Sequence, residues 1–179
     1  MTQIRELAAD DTALAFAAMS ELRTGLTSED FVRRVNAQRA AGYRLLGVFE
    51  DDGAGAGAKA SRGDEGGRGE VADGGEDNDG GAGSTGEALA VCGFRVGQNL
   101  AWGRHLYVDD LSTLPVARGR GLATALLAWV HAEAARLGCG EVHLESGVQA
   151  ARAAAHRLYF GQGYRISSYH FMRPVAPDV

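Results

Sequence analysis

With 179 residues and a formal charge of −5, the chain is long enough for one domain with a sizeable core and too short for two comfortable ones. Its two cysteines, Cys92 and Cys139, exclude a disulfide framework or a zinc cluster, so no metal is expected, and both sit in or beside apolar runs as buried thiols do. No apolar signal region opens the chain at Met1–Glu6, and no run of about eighteen apolar residues could cross a bilayer, so a cytoplasmic location without a membrane partner is expected.

In chain order, Gln3 to Leu7 reads as a short strand. Asp10 or Asp11 is placed to cap a helix through about Arg23, whose Leu14, Ala17, Ala18 and Leu22 share one face. Gly25 breaks it. Thr27-x-x-Asp30 forms a capping box that opens a second helix, Glu29 to Ala41, with Phe31 and Val35 on one side and Gly42 at its end. Tyr43 to Phe49 is a strand. From Asp51 to Glu87 the sequence turns Gly-, Ala- and acid-rich, with ten acids, three bases, Val71 as its one large aliphatic residue and no aromatic. Such a stretch cannot bury enough apolar surface to offset its ordering entropy, and predicts a disordered loop inserted between two neighbouring strands. It carries −7, so the rest of the chain carries +2. That balance suits a polyanionic small ligand, but it is not a nucleic-acid footprint, and no nucleic-acid partner is expected.

A strand resumes at Leu89 to Val96, Gly97-Gln98-Asn99 turns, and a further strand follows from about Trp102 to Leu111. Leu122 to Leu137 is helical and stopped by Gly138. Glu141 to Glu145 is a strand, Ala150 to Phe160 an Ala-rich helix stopped by Gly161 and Gly163, and Tyr164 to Met172 a last strand before Pro174. The order is β-α-α-β-β-β-α-β-α-β: antiparallel strands first, parallel connections afterwards.

Between the strand ending near Thr113 and the helix opening at Leu122 lies Arg118-Gly119-Arg120-Gly121-Leu122-Ala123. A strand that turns through glycines into a helix is a ready anion cradle. The first helical N–H groups lack internal partners and sit at the positive end of the dipole, and glycine lets the backbone approach the ligand. Arg118 and Arg120 add two guanidinium groups for phosphate oxygens. A dinucleotide fingerprint would need a third glycine where Thr124 stands, and a P-loop would need Gly-Lys-Ser/Thr, which is absent.

The pattern that fits is Arg-x-x-Gly-x-Ala, read as Arg118, Gly121 and Ala123. It resembles the acetyl-CoA signature of the GNAT superfamily of acyl-CoA-dependent N-acyltransferases, and the element order over nearly the whole chain outside the insertion matches that fold. The resemblance implies a single domain over residues 1–179, an α+β architecture with a mixed, mostly antiparallel sheet flanked by helices, and fourth and fifth strands that splay apart. It places the pantetheine of acetyl-CoA against the backbone of Leu111, Ser112 and Thr113, and the pyrophosphate on the N–H groups of Arg118, Gly119, Arg120, Gly121, Leu122 and Ala123. Arg152-x-x-Ala155-His156-x-Leu158-Tyr159, followed by Gly163-Tyr164, is similar to the family's second motif. There the Tyr is the usual general acid toward the departing thiolate, a role that a phenol with a pKa of about 10 can fill. Arg152 stands where the family more often has a cofactor-contacting Asn. Family members often carry a basic carboxylate on the fourth strand, eleven or nine residues before the motif's Arg; those positions are Tyr107 and Asp109.

Simple alternation along that strand puts His105, Tyr107 and Asp109 on one face and Leu106, Val108 and Asp110 on the other. Asp109 is therefore the expected base and His105 the second choice. His143 and Glu145 on the next strand share a face toward the acceptor cleft, while His131 and His156 read as solvent or packing residues. The resemblance implies direct acetyl transfer to a primary amine on a small molecule or a protein, with no metal. The alternatives are a catalytically silent CoA-binding sensor or scaffold of the same fold, and a less favoured nucleic-acid module using Arg118, Arg120 and Arg136. Many members of that family pair as homodimers, an arrangement the resemblance leaves open for this chain.

Overall fold

A computed structural model describes residues 1–50 and 86–175; the segment expected to be an inserted loop lies almost wholly outside the described residues. The chain runs β1 (Thr2–Glu6), α1 (Phe16–Ser20), α2 (Ser28–Arg39), β2 (Arg44–Glu50), β3 (Ala90–Asn99), β4 (Gly103–Thr113), α3 (Leu122–Arg136), β5 (Glu141–Leu144) and α4 (Ala153–Gly161). The strands form one sheet in the order β1-β2-β3-β4-β5. The first three pairings are antiparallel and β4–β5 is parallel, as the element order predicts. Among the described residues, no helix is long and apolar enough to cross a membrane.

Two cores cover the two faces. On one face α3 lays Leu122, Leu126, Val130 and Ala134, spaced by four residues, against Leu46, Val48, Phe94, Leu106 and Val108. On the other, α1 and α2 bring Ala18, Met19, Phe31 and Val35 onto Leu45, Phe49 and Val91. β2 is therefore buried on both sides, and its Arg44-Leu-Leu-Gly-Val-Phe run reads as a continuous apolar strand rather than an alternating one.

Several elements differ from their sequence readings. The first helix is shorter: a 3-10 turn at Thr12–Ala15 precedes α1, and Asp11 caps nothing because its carboxylate is bound by Arg5 at 2.7 Å. The Thr27 cap does form, its hydroxyl accepting from the Asp30 N–H at 3.1 Å. β3 runs straight through the expected turn at Gly97–Asn99, and the reversal falls at Leu100–Trp102, where the Asn99 side chain accepts the Trp102 N–H. The last expected strand, Tyr164 to Met172, has no ladder. β5 has only four residues and ends the sheet, and Ile166, Tyr169, Phe171 and Met172 stand in solvent. Cys92 is buried as expected, whereas Cys139 is only partly covered.

Two irregularities shape the middle of the sheet. Opposite Gly93 and Phe94, β4 carries one extra residue, Asp109, so the ladder pairs Phe94 with Val108 but Gly93 with Asp110. The parallel ladder between β4 and β5 stops at Val108 and Leu144, and β4 continues to Thr113 without β5 beside it. The gap opens at the bulge.

Candidate active site

The loop between β4 and α3 has the geometry of a cradle. Leu114 N–H is fixed to Leu89 O at 2.9 Å, and Pro115–Ala117 makes one 3-10 turn. Gly119 and Gly121 then take left-handed φ values of 78° and 79°, so that Gly121 caps α3. A Cβ at either glycine would meet no protein atom within 4 Å, so within the chain the requirement for glycine lies in the backbone angle. Residues 118–121 are solvent-exposed at the N-terminus of a fifteen-residue helix, and among the described residues no backbone acceptor takes the N–H groups of residues 119–123. Both flanking arginines are engaged. Arg118 reaches Glu21 at 3.1 Å and Thr113 O at 3.3 Å, and Arg120 reaches Glu50 at 2.8 Å. These exposed pairs are weak enough to exchange for a polyphosphate.

Beside the cradle, where β4 and β5 part, lies a cleft of about 430 Å³ walled by Asp109, Asp110, Leu111, Glu145, Arg152 and Tyr159. Tyr159 comes from the last turns of α4 and is 8% exposed. Burial raises its pKa above the ordinary phenol value, which keeps it a neutral proton donor. Arg152 hydrogen-bonds Ser146 Oγ at 3.3 Å and lines the same wall. Ser112 is buried, and Leu111 and Thr113 are partly so. The structure thus brings together Tyr159, Arg152, Asp109 and Leu111. It leaves His105 outside this cleft, in a neighbouring cavity of about 270 Å³ with Arg95, Gly97, Tyr107 and Glu145.

The bulge corrects the sequence reading of β4. Past Asp109 the alternation slips by one, so Asp110 and Ser112 join His105 and Tyr107 on the α1–α2 face instead of opposing them. Asp109, the extra residue, also turns its carboxylate that way, where the Arg95 guanidinium holds it with two bonds. Asp110 accepts from Arg23 Nε at 2.8 Å and from the Tyr43 hydroxyl at 2.8 Å. Burial, then the Asp110 charge, pushes the Tyr43 pKa far up, so this hydroxyl stays protonated and donates.

Arg23, Tyr43 and Arg95 are site residues that sequence reasoning missed. Arg95 pairs across the ladder with Tyr107, a register that the expected turn at Gly97–Asn99 concealed. Arg23 and Tyr43 approach from distant elements, and no local pattern announces them. His143 bonds Glu141 at 3.0 Å and stacks on Trp102 with ring centres 4.0 Å apart. His131 meets the Tyr164 hydroxyl at 2.9 Å, and His156 meets Ser146 Oγ and Gly147 O at 3.2 and 2.9 Å.

The sequence profile of the Acetyltransferase (GNAT) family matches residues 62–164. The uncharacterized N-acetyltransferase YhdJ of Bacillus subtilis is 29% identical over 168 residues, 93% of each chain. Among solved structures, an acetyltransferase of Trypanosoma brucei superposes with a TM-score of 0.67 at 15% identity, covering 98% of this chain and 100% of the other. An aminoglycoside N-acetyltransferase in complex with CoA gives 0.69 at 12% identity, covering 98% and 95%. At these identities the superpositions speak for the fold.

Proposed function

Since the chain belongs to the GNAT acetyltransferase family, we propose that it moves an acetyl group from acetyl-CoA to the nitrogen of a primary amine by direct transfer. The observation that carries this reading is one juxtaposition. An N-terminal helix cradle with two left-handed glycines opens beside a cleft between splayed strands, and a buried, neutral phenol lines that cleft. In this reading the N–H groups of Arg118 to Ala123 take the pyrophosphate, and Arg118 and Arg120 exchange Glu21 and Glu50 for phosphate oxygens. The pantetheine lies along Leu111, Ser112 and Thr113 with Arg152 beside it. A CoA complex among the structures sharing the fold supports the cofactor.

The chemistry follows from these groups. The acceptor enters as an ammonium and must lose a proton before its lone pair can attack the thioester carbonyl. As the carbon–sulfur bond breaks, Tyr159 gives its proton to the leaving sulfur, and the second proton shed by the new amide nitrogen restores the phenol. Of the two proposed bases, Asp109 lines the cleft and His105 the cavity next to it. Asp109 is held by Arg95, so proton acceptance there needs that ion pair to loosen.

Thermal stabilisation by acetyl-CoA tests the reading. Ligand at about a hundredfold over Kd adds roughly 2.7 kcal/mol to a protein that binds it only when folded. The native chain is expected to show the shift, and Gly121→Glu to lose it. Tyr159→Phe is expected to keep the shift and to lower kcat by about tenfold or more. No shift in the native chain at millimolar acetyl-CoA sinks the proposal.

A further inference from the structure

We propose that Glu145 is the carboxylate that receives the acceptor's ammonium group, and that the acceptor is a compact small-molecule amine with a planar body seated in the second cavity. This rests on the acetyltransferase reading above.

The cleft holds three carboxylates, and two of them are taken. Asp109 is bound by Arg95, its side chain only 14% exposed, and Asp110 is bound by Arg23 and Tyr43, its side chain 12% exposed. Glu145, just past the end of β5, has a side chain 54% exposed. Among the described residues no arginine holds it. Its neighbours are His170 Nδ1 at 2.9 Å and the Tyr107 phenol, whose pKa is raised by burial first and by Glu145 next. Neither of these supplies a permanent positive charge, so an incoming ammonium can fill that place and form a charge-assisted hydrogen bond.

Glu145 also lines both cavities. Toward one side it faces the cleft with Tyr159, and toward the other it faces the space bounded by Arg95, Gly97, His105 and Tyr107. An acceptor anchored at Glu145 therefore has its nitrogen on the Tyr159 side and its body in the second space. Two of that space's five lining residues, Tyr107 and His105, carry rings, and Trp102 meets His105 edge-on with ring centres 5.2 Å apart. Gly97 keeps the space open, since a Cβ there would come within 2.8 Å of His105 Nε2. About 270 Å³ suits a single ring system.

Steady-state kinetics with tyramine, putrescine and an Ala-initiated tripeptide as acceptors, followed by free-thiol release, test the assignment. The native chain is expected to favour tyramine. Glu145→Gln, which keeps shape and removes charge, is expected to raise the tyramine KM by about tenfold or more and leave the acetyl-CoA KM within about twofold. Glu145→Asp should recover part of the loss. Gly97→Ala, which narrows the second cavity, is expected to cost tyramine more than putrescine. An unchanged tyramine KM in Glu145→Gln overturns the role of Glu145, and preference for the tripeptide, or no turnover of tyramine by a native chain that acetyl-CoA stabilises, overturns the acceptor class. A native chain that acetyl-CoA does not stabilise points instead to failure of the acetyltransferase reading.

Discussion

At the scale of single residues, the site is held by close approaches that leave little slack. Gly93 lies directly under the Tyr43 phenol, and a Cβ there would stand only 1.8 Å from the hydroxyl oxygen. That hydroxyl in turn secures Asp110 at the edge of the cleft. Gly93→Ala is therefore expected to push Tyr43 off Asp110 and to lower unfolding stability by about 1–3 kcal/mol, read from urea denaturation. Gly47→Ala is not an equivalent control, because its Cβ would meet the Phe49 ring instead. What was legible at this scale were residues whose chemistry is local: the glycine turn before α3, the Thr27 cap, and Tyr159 near the end of its helix. The faces of Asp109 and Asp110 were not legible. A bulge depends on the partner strand, and nothing in the composition of β4 marks where its alternation slips.

At the scale of elements, one guanidinium ties three of them together. Arg44 of β2 bonds Glu6 of β1 at 2.6 Å and Glu133 of α3 at 2.6 Å, and it lies 4.9 Å over the Phe94 ring. Glu133, only 8% exposed, is also bonded twice by Arg136. Its pKa falls to about 2 from 4.5, through the Arg136 bonds first and the Arg44 bond after them. A carboxyl whose folded pKa is depressed stabilises the fold above its unfolded value, and that stability drains as pH falls toward the folded one. The free energy of unfolding should thus drop by an amount on the order of a few kcal/mol between about pH 4.5 and 2 in the native chain, and the melting temperature with it. Glu133→Gln should start less stable at neutral pH and show a shallower acid limb in a pH series of thermal melts. Elements were read well where periodicity was strong, as in α2 and α3, or where the apolar run was continuous, as in β2. The first helix was overread because Asp11 spends its carboxylate on Arg5, and the final strand because a pattern of alternating residues does not supply a neighbour to pair with.

At the scale of the molecule, the strand order and the change from antiparallel to parallel pairing were legible because the glycine-rich turn fixed where the parallel half begins. The splay was implied by resemblance, and its physical form is a short β5 beside a long β4. The acidic segment was read as an insertion, and the described residues on either side bear on its removal. β2 and β3 are laddered from Arg44–Phe94 to Val48–Ala90, and Leu89 N–H reaches Val48 O at 2.7 Å. The two ends are therefore adjacent without it. Replacing residues 53–85 with a short Gly-Ser linker is expected to leave the circular dichroism spectrum and the cooperative melt intact, with a Tm change of a few degrees, since each doubling of loop length costs only about 0.6 kcal/mol. Loss of cooperative unfolding would show that the segment is part of the fold.

The same ladder means that the site is a shared holding. Arg23 and Tyr43 come from the length of chain before the acidic segment; Asp110, Glu145 and Tyr159 come from the length after it. Asp110 is placed by neither length alone, because its cation and hydroxyl sit on one and the carboxylate on the other. Activity in this protein is thus a report on reassembly: if the two lengths were supplied as separate polypeptides, turnover would appear only to the extent that they found one another.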